Sequence, residues 1–274
     1  VNTRTYVAWN WKAGGAPSGD NSAAANAEPT AGSAKIDGSN QSGAFSGSPS
    51  IAIKRLSANT TAGFSIVTWT GTGSAGTIPH GLGVAPDFYV VKNRDDDSTS
   101  WQAYHRSIAS DAETDYIYLN DTAGAGDSDD WNDTAPTANV FSVKTHNQVN
   151  ESGDDYLAYV FASIEGYSKF GSFSGNSAAD GTFVYLGFRP AYIWLKRHDS
   201  GGVDWSLYDS KREGYNVDND NLRAFAASAA TEQTDDDIDF LSNGFKCRRN
   251  FANNQGSVLF FAWAEAPFKF SNAR

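Results

Sequence analysis

The sequence returns on itself. Gly81-Leu-Gly-Val-Ala-Pro-Asp-Phe-Tyr-Val-Val-Lys-Asn-Arg-Asp95 recurs 104 residues later as Tyr185-Leu-Gly-Phe-Arg-Pro-Ala-Tyr-Ile-Trp-Leu-Lys-Arg-His-Asp199. The same offset pairs Trp101 with Trp205, Tyr104 with Tyr208, Asn139 with Asn243 and Phe141 with Phe245. A fixed period of this kind constrains the fold to two copies of one unit. Each copy opens with Leu-Gly-x-x-Pro, runs through β-branched and aromatic residues and leaves on charges, the pattern of a strand bounded by turns. The unit is therefore β. A closing segment repeats at an offset of 100, with Phe161, Glu165, Lys169 and Phe170 matching Phe261, Glu265, Lys269 and Phe270.

The expected architecture is all-β: two tandem antiparallel β-sandwich modules with Greek-key or jelly-roll connections, at residues 55–165 and 166–274. Strands are predicted at Phe64–Trp69, Asp87–Asn93, Trp101–Ser107, Tyr116–Asn120, Val140–Thr145 and Tyr156–Ala162. In the second copy they fall at Ser168–Phe173, Phe183–Phe188, Ala191–Arg197, Asp204–Asp209, Leu222–Ala226, Ile238–Leu241, Phe245–Arg249 and Val258–Ala264. Residues 1–12 hold Tyr6-Val-Ala-Trp-Asn-Trp11, similar to the closing strand at Tyr156–Phe161, and are expected to pair with a sheet. Residues 13–54, rich in Gly, Ala, Ser and Asn, read as a linker or irregular arm. Because methionine is absent even at position 1, the chain is expected to be processed or part of a longer protein.

Composition narrows the function. A net charge of -11 argues against nucleic acid, whose phosphates need clustered Lys and Arg. No apolar run of the length that spans a bilayer is present, so membrane insertion is not expected. The single cysteine, Cys247, falls on Val143 at the 104 offset and reads as a small apolar strand residue. Gly71-Thr-Gly-Ser-Ala-Gly76 spells a dinucleotide fingerprint but leads into Pro79 and another strand, with no helix to receive a phosphate, so it reads as a loop. No nucleophile elbow, zincin motif or phosphate loop occurs. The four histidines, 80, 105, 146 and 198, are dispersed and read as ordinary sheet or turn residues. An enzyme is not expected, although a carboxylate pair for polysaccharide hydrolysis needs only a fixed separation, which sequence leaves open.

Acidic groups gather at Asp95–Asp97, Asp127–Asp133, Asp218–Asp220 and Asp235–Asp239, all read as loops. Hard-oxygen ligation of calcium is open to such loops, but a solvated acidic surface is the favoured reading, so no cofactor is expected. Trp131 is different, since it stands among aspartates and its counterpart at the 104 offset is Asp235. Trp131 with Asp127, Asp129, Asp130, Asn132 and Asp133, and next Asp96 and Asp97, form the expected ligand-binding set. The tryptophan would stack on a sugar ring while the polar groups bond its hydroxyls.

Read as a set, Ala62–Gly71, His80–Pro86, Trp131–Pro136, Phe170–Gly175 and Pro267–Arg274 resemble the repeated domain of tail-fibre and related virion structural proteins of bacteriophages, often from marine hosts. The resemblance implies a virion-surface protein, homotrimeric, that recognises or decorates and does not catalyse. It carries no catalytic or ligand residues across. The functional expectation is a tail fibre or receptor-binding part contacting host-surface glycan. The alternatives are a capsid decoration or filament subunit that contacts itself and other virion proteins, and then a polysaccharide depolymerase.

Overall fold

The chain is all-β in a computed structural model that describes residues 7–22, 28–212, 218–224 and 232–267. The first half contains β1 (Ala34–Ile36), β2 (Ser39–Asn40), β3 (Ile53–Asn59), β4 (Phe64–Thr70), β5 (Gly76–Pro79), β6 (Phe88–Asn93), β7 (Gln102–His105), β8 (Asp115–Tyr118), β9 (Gly126–Asp127), β10 (Val140–Val143) and β11 (Asp155–Phe161). The second contains β12 (Ser168–Asn176), β13 (Phe183–Tyr185), β14 (Pro190–Arg197), β15 (Trp205–Asp209), β16 (Asp218–Ala224), β17 (Glu232–Leu241), β18 (Gly244–Cys247) and β19 (Gln255–Ala264). The helical turns among the described residues are two short 3-10 segments, Ala112–Thr114 and Ala252–Asn254.

A nine-stranded sheet runs β2-β1-β3-β4-β11-β6-β7-β8-β9, an eight-stranded sheet runs β12-β19-β14-β15-β16-β17-β18-β13, and β5 with β10 forms a two-stranded sheet. The order β4-β11-β6-β7-β8 in the first half is the order β12-β19-β14-β15-β16 in the second. The β5–β10 pair likewise has its counterpart in β13–β18, with Ile78 opposite Phe141 and Val184 opposite Phe245. In the second half β17 joins the two layers, since its start pairs with β16 and its end with β18.

The ladders correct the register of the closing strand. Val90 lies opposite Tyr159 and Trp194 opposite Phe261, so the offset there is 102 and not 100. Both values keep the same side chains on the same face, which is why matching residue types alone picked the wrong one. The acidic runs 218–220 and 235–239 are also strand and not loop, within β16 and β17.

Strand alternation divides the core. In β6, Tyr89 and Val91 face β10, and the Tyr89 ring meets Phe141 at 4.8 Å. Phe88 points the other way and meets Phe261 of β19 edge-on at 4.8 Å. The two halves thus stand back to back on a buried aromatic seam that includes Phe88, Phe161, Phe170, Tyr192, Trp205, Phe261 and Trp263. A second cluster, with Ile193, Leu195, Tyr208, Phe245 and Phe260, fills the sandwich of the second half alone. Each well-placed ring pair adds about 0.5–1.5 kcal/mol beyond the area it buries.

The N-terminal expectation changes. Tyr6 lies outside the described residues, and 7–12 form no strand. Their rings enter the seam instead: Trp9 stacks on Tyr192 at 5.3 Å, and Trp11 meets Trp263 at 5.1 Å. The position of a closing strand is already taken, because β11 sits between β4 and β6 with both edges paired.

The arm is more regular than its composition suggests. β1 pairs parallel with β3, and β3 pairs antiparallel with β4. The chain before it is laced down by Ser18 N–H to Gly32 C=O (2.8 Å) and Asn21 N–H to Lys54 C=O (2.9 Å). Gly14 lies so close to Ala58 that any side chain there would strike backbone. A register shift between Ile53 and Arg55 breaks the alternation, which hides β3 from pattern reading.

Candidate functional site

Trp131 is fully buried, correcting its expected role. Its ring stands edge-on to Tyr89 at 4.9 Å and Tyr104 at 6.3 Å, and its indole N–H donates to the Asp115 carbonyl at 2.9 Å. No face remains for a sugar. Of the polar members of the predicted set, the turn ties down Asp129 and Asp130. Buried Asp130 accepts from Gln102 and Ser128 and lies 3.5 Å from His146. Burial pushes its carboxyl above the ordinary range. Asp129 pairs with Lys144, which holds its carboxyl low. Asp127 is exposed in β9, and Asn132 and Asp133 are exposed with φ of 53° and 43°. Asp96 sits in the separate β6–β7 loop and accepts from Ser98 N–H (2.8 Å) and Oγ, and Asp97 beside it is exposed.

Other polar groups brace the two halves in matching ways. Asn150 donates to the carbonyls of Ser74 and Lys144, both 2.8 Å, and Asn254 donates to those of Ala178 (3.0 Å) and Arg249 (2.9 Å). Lys92 caps the Thr99 carbonyl at 2.6 Å, and Lys196 caps the Val203 carbonyl and reaches across the seam to that of Thr122 at 3.0 Å. Burial lowers Lys196 to about 8. His80 and His105 are buried and pushed down to about 4 and about 3, so both are neutral. Cys247 is buried in β18 and its thiol is raised to about 12, too high for a nucleophile. Among the described residues no three His, Cys, Asp or Glu side chains converge as metal ligands would, and no helix is long and apolar enough to cross a membrane.

The surface that stands out lies at one end of the second sandwich. β12 and β13 are the two outer strands of the eight-stranded sheet, each paired on one side only among the described residues. Between them opens a groove of about 680 Å³ reaching from Ser163 and Glu165 past Lys169 to Tyr185 and Phe188. Tyr185 is 59% exposed and Phe183 45%, and the Lys169 ammonium lies 5.5 Å from the Tyr185 ring centre and donates to its carbonyl. The groove continues over Gly171, Phe173 and Phe260.

In the first half the same mouth is closed. Ser50 and Ile51 donate to the Thr77 carbonyl of β5, while β3 covers the edge of β4. Ile51, Ile53, Leu56 and Ala58 are buried there. Trp69 of β4 is in consequence fully buried, whereas its counterpart Phe173 is half-exposed. Sequence reasoning missed this surface, for the alternation of Phe183, Val184 and Tyr185 marks two faces without saying which lacks a cover.

The class that the fold defines is an all-β protein of layered sheets. Residues 38–267 match the family described as a domain of unknown function, DUF7483, and the chain belongs to that family. No curated protein and no solved structure matches it.

Proposed function

We propose that the protein is a non-enzymatic component of a bacteriophage virion surface that works by association, as a decoration or filament-forming subunit. The observation that carries this reading is the contrast between two equivalent mouths. The first is plugged by the chain's own β3, and the second, flanked by Phe183 and Tyr185, is left open by the described residues. An unpaired edge beside exposed rings is a ready contact for another chain. The resemblance of the repeats to virion proteins supports the location, and the acidic remainder of the surface suits a particle that must stay dispersed. The glycan-receptor reading loses its stacking ring with Trp131.

Immunogold labelling with antiserum against the purified chain tests the location: intact particles of a phage that carries the gene should be decorated, and unlabelled particles would remove the proposal. A glycan array separates the receptor role. No binding is expected, and glycan binding that Tyr185→Ser abolishes would restore that role to the groove.

A further inference from the structure

We infer that the open edge of β12 pairs with β12 of a second copy, antiparallel and about a two-fold axis through Ser172. The inference rests on the association reading and names its partner. His198 N–H donates to Ser257 C=O (3.0 Å) and Ala264 N–H to Tyr167 C=O (2.8 Å), which fixes the direction of the backbone groups of β19. By alternation, the groups of Phe170, Ser172 and Ser174 in β12 point out of the sheet. Two of these are already used: Phe170 N–H donates to Ser163 Oγ at 3.1 Å, and Ser174 C=O accepts from Thr182 Oγ1 at 2.9 Å. Ser172 N–H and C=O, Phe170 C=O and Ser174 N–H have no partner among the described residues.

Pairing about Ser172 joins these groups to one another. Ser172 exchanges both bonds with its own image, and Ser174 N–H meets the second copy's Phe170 C=O in each direction. The side chains agree as well. Phe173 falls opposite the second copy's Gly171, which the Phe260 ring of the neighbouring strand already overlies, so the approaching ring meets an apolar surface there. Edges that must stay single are guarded by charge, proline or bulges. β12 has nine residues in regular register with one lysine, no acid and no proline, in a chain of net charge -11. An isologous contact of this type closes on itself as a dimer, and the half-exposed Phe173 would be covered by it.

Sedimentation of the full chain over a hundredfold concentration range tests the pairing, and a monomer–dimer equilibrium is expected. Ser172→Glu, at an exposed position, should keep the native circular dichroism and weaken the dimer by about fivefold or more, since like charges then stand directly opposite each other. Ser172→Cys should form a disulfide-linked dimer on mild oxidation, because residues in a hydrogen-bonded antiparallel pair have Cα atoms about 5.5 Å apart, within disulfide reach. Ser174→Cys should not. A wild-type monomer throughout, a trimer, an association indifferent to Ser172→Glu, or equal cross-linking of both cysteine variants would overturn the pairing. Particle labelling decides the association reading separately.

Discussion

Trp131 is the residue where pattern and packing part company. An indole among aspartates reads as a surface platform, yet its ring is walled in by Tyr89 and Tyr104 and its N–H is satisfied by Asp115. Truncation to alanine should therefore act on stability, costing about 3–5 kcal/mol in denaturant unfolding. A variant of unchanged stability would mean that the ring lies outside. The buried histidines give a second expectation. His80 and His105 have folded-state values of about 4 and about 3, below the ordinary 6.5. Between 6.5 and those values the unfolded chain takes up protons that the folded chain refuses, so stability falls as pH drops through that window. The slope is at most about 1.4 kcal/mol per pH unit for each histidine. Urea titrations at pH 7.0, 5.5 and 4.5 should show His105→Phe with a shallower loss than wild type. An identical slope would show that His105 is protonated when folded.

At the level of strands, two positions with similar sequence credentials should behave oppositely. Leu56 in β3 is fully buried and Leu56→Ala should cost about 2–5 kcal/mol. Phe183→Ser in β13, at a ring 45% exposed, should change stability by less than about 0.5 kcal/mol. Chemical denaturation of both variants checks the contrast, and equal losses would contradict the different covering of the two mouths. What was legible in the sequence follows the same division. β4 and β11 were visible through their alternation, and β6, β14 and β19 as short apolar runs buried on both faces. β3 was not, since a register shift interrupts it, and the open edge was not, since exposure depends on which neighbour is present and no local pattern encodes that. Of the predicted site, the sequence displayed a run of carboxylates around an indole, while the burial of that tryptophan depended on Tyr89 and Tyr104, which lie far from it in sequence.

For the molecule as a whole, the seam decides how the halves behave. Phe88, Phe161, Phe170, Phe261 and Trp263 pack as one cluster across the joint, with Trp9 and Trp11 inserted from the chain's beginning. Calorimetry should accordingly record one unfolding transition in which calorimetric and van't Hoff enthalpies agree. Two resolved transitions would make the halves independent. The seam also has an optical side. Trp11 touches Trp263 at 5.1 Å, Trp263 touches Trp194 at 5.4 Å, and Trp194 touches Trp205 at 6.4 Å, each pair steeply inclined. Four indoles held this closely share their electronic excitations, and the skewed angles make the shared transitions chiral. The face that the second half turns to the joint therefore carries its own spectroscopic label, an exciton couplet whose Trp11–Trp263 part would fade if the beginning of the chain left the seam even while every strand stayed paired.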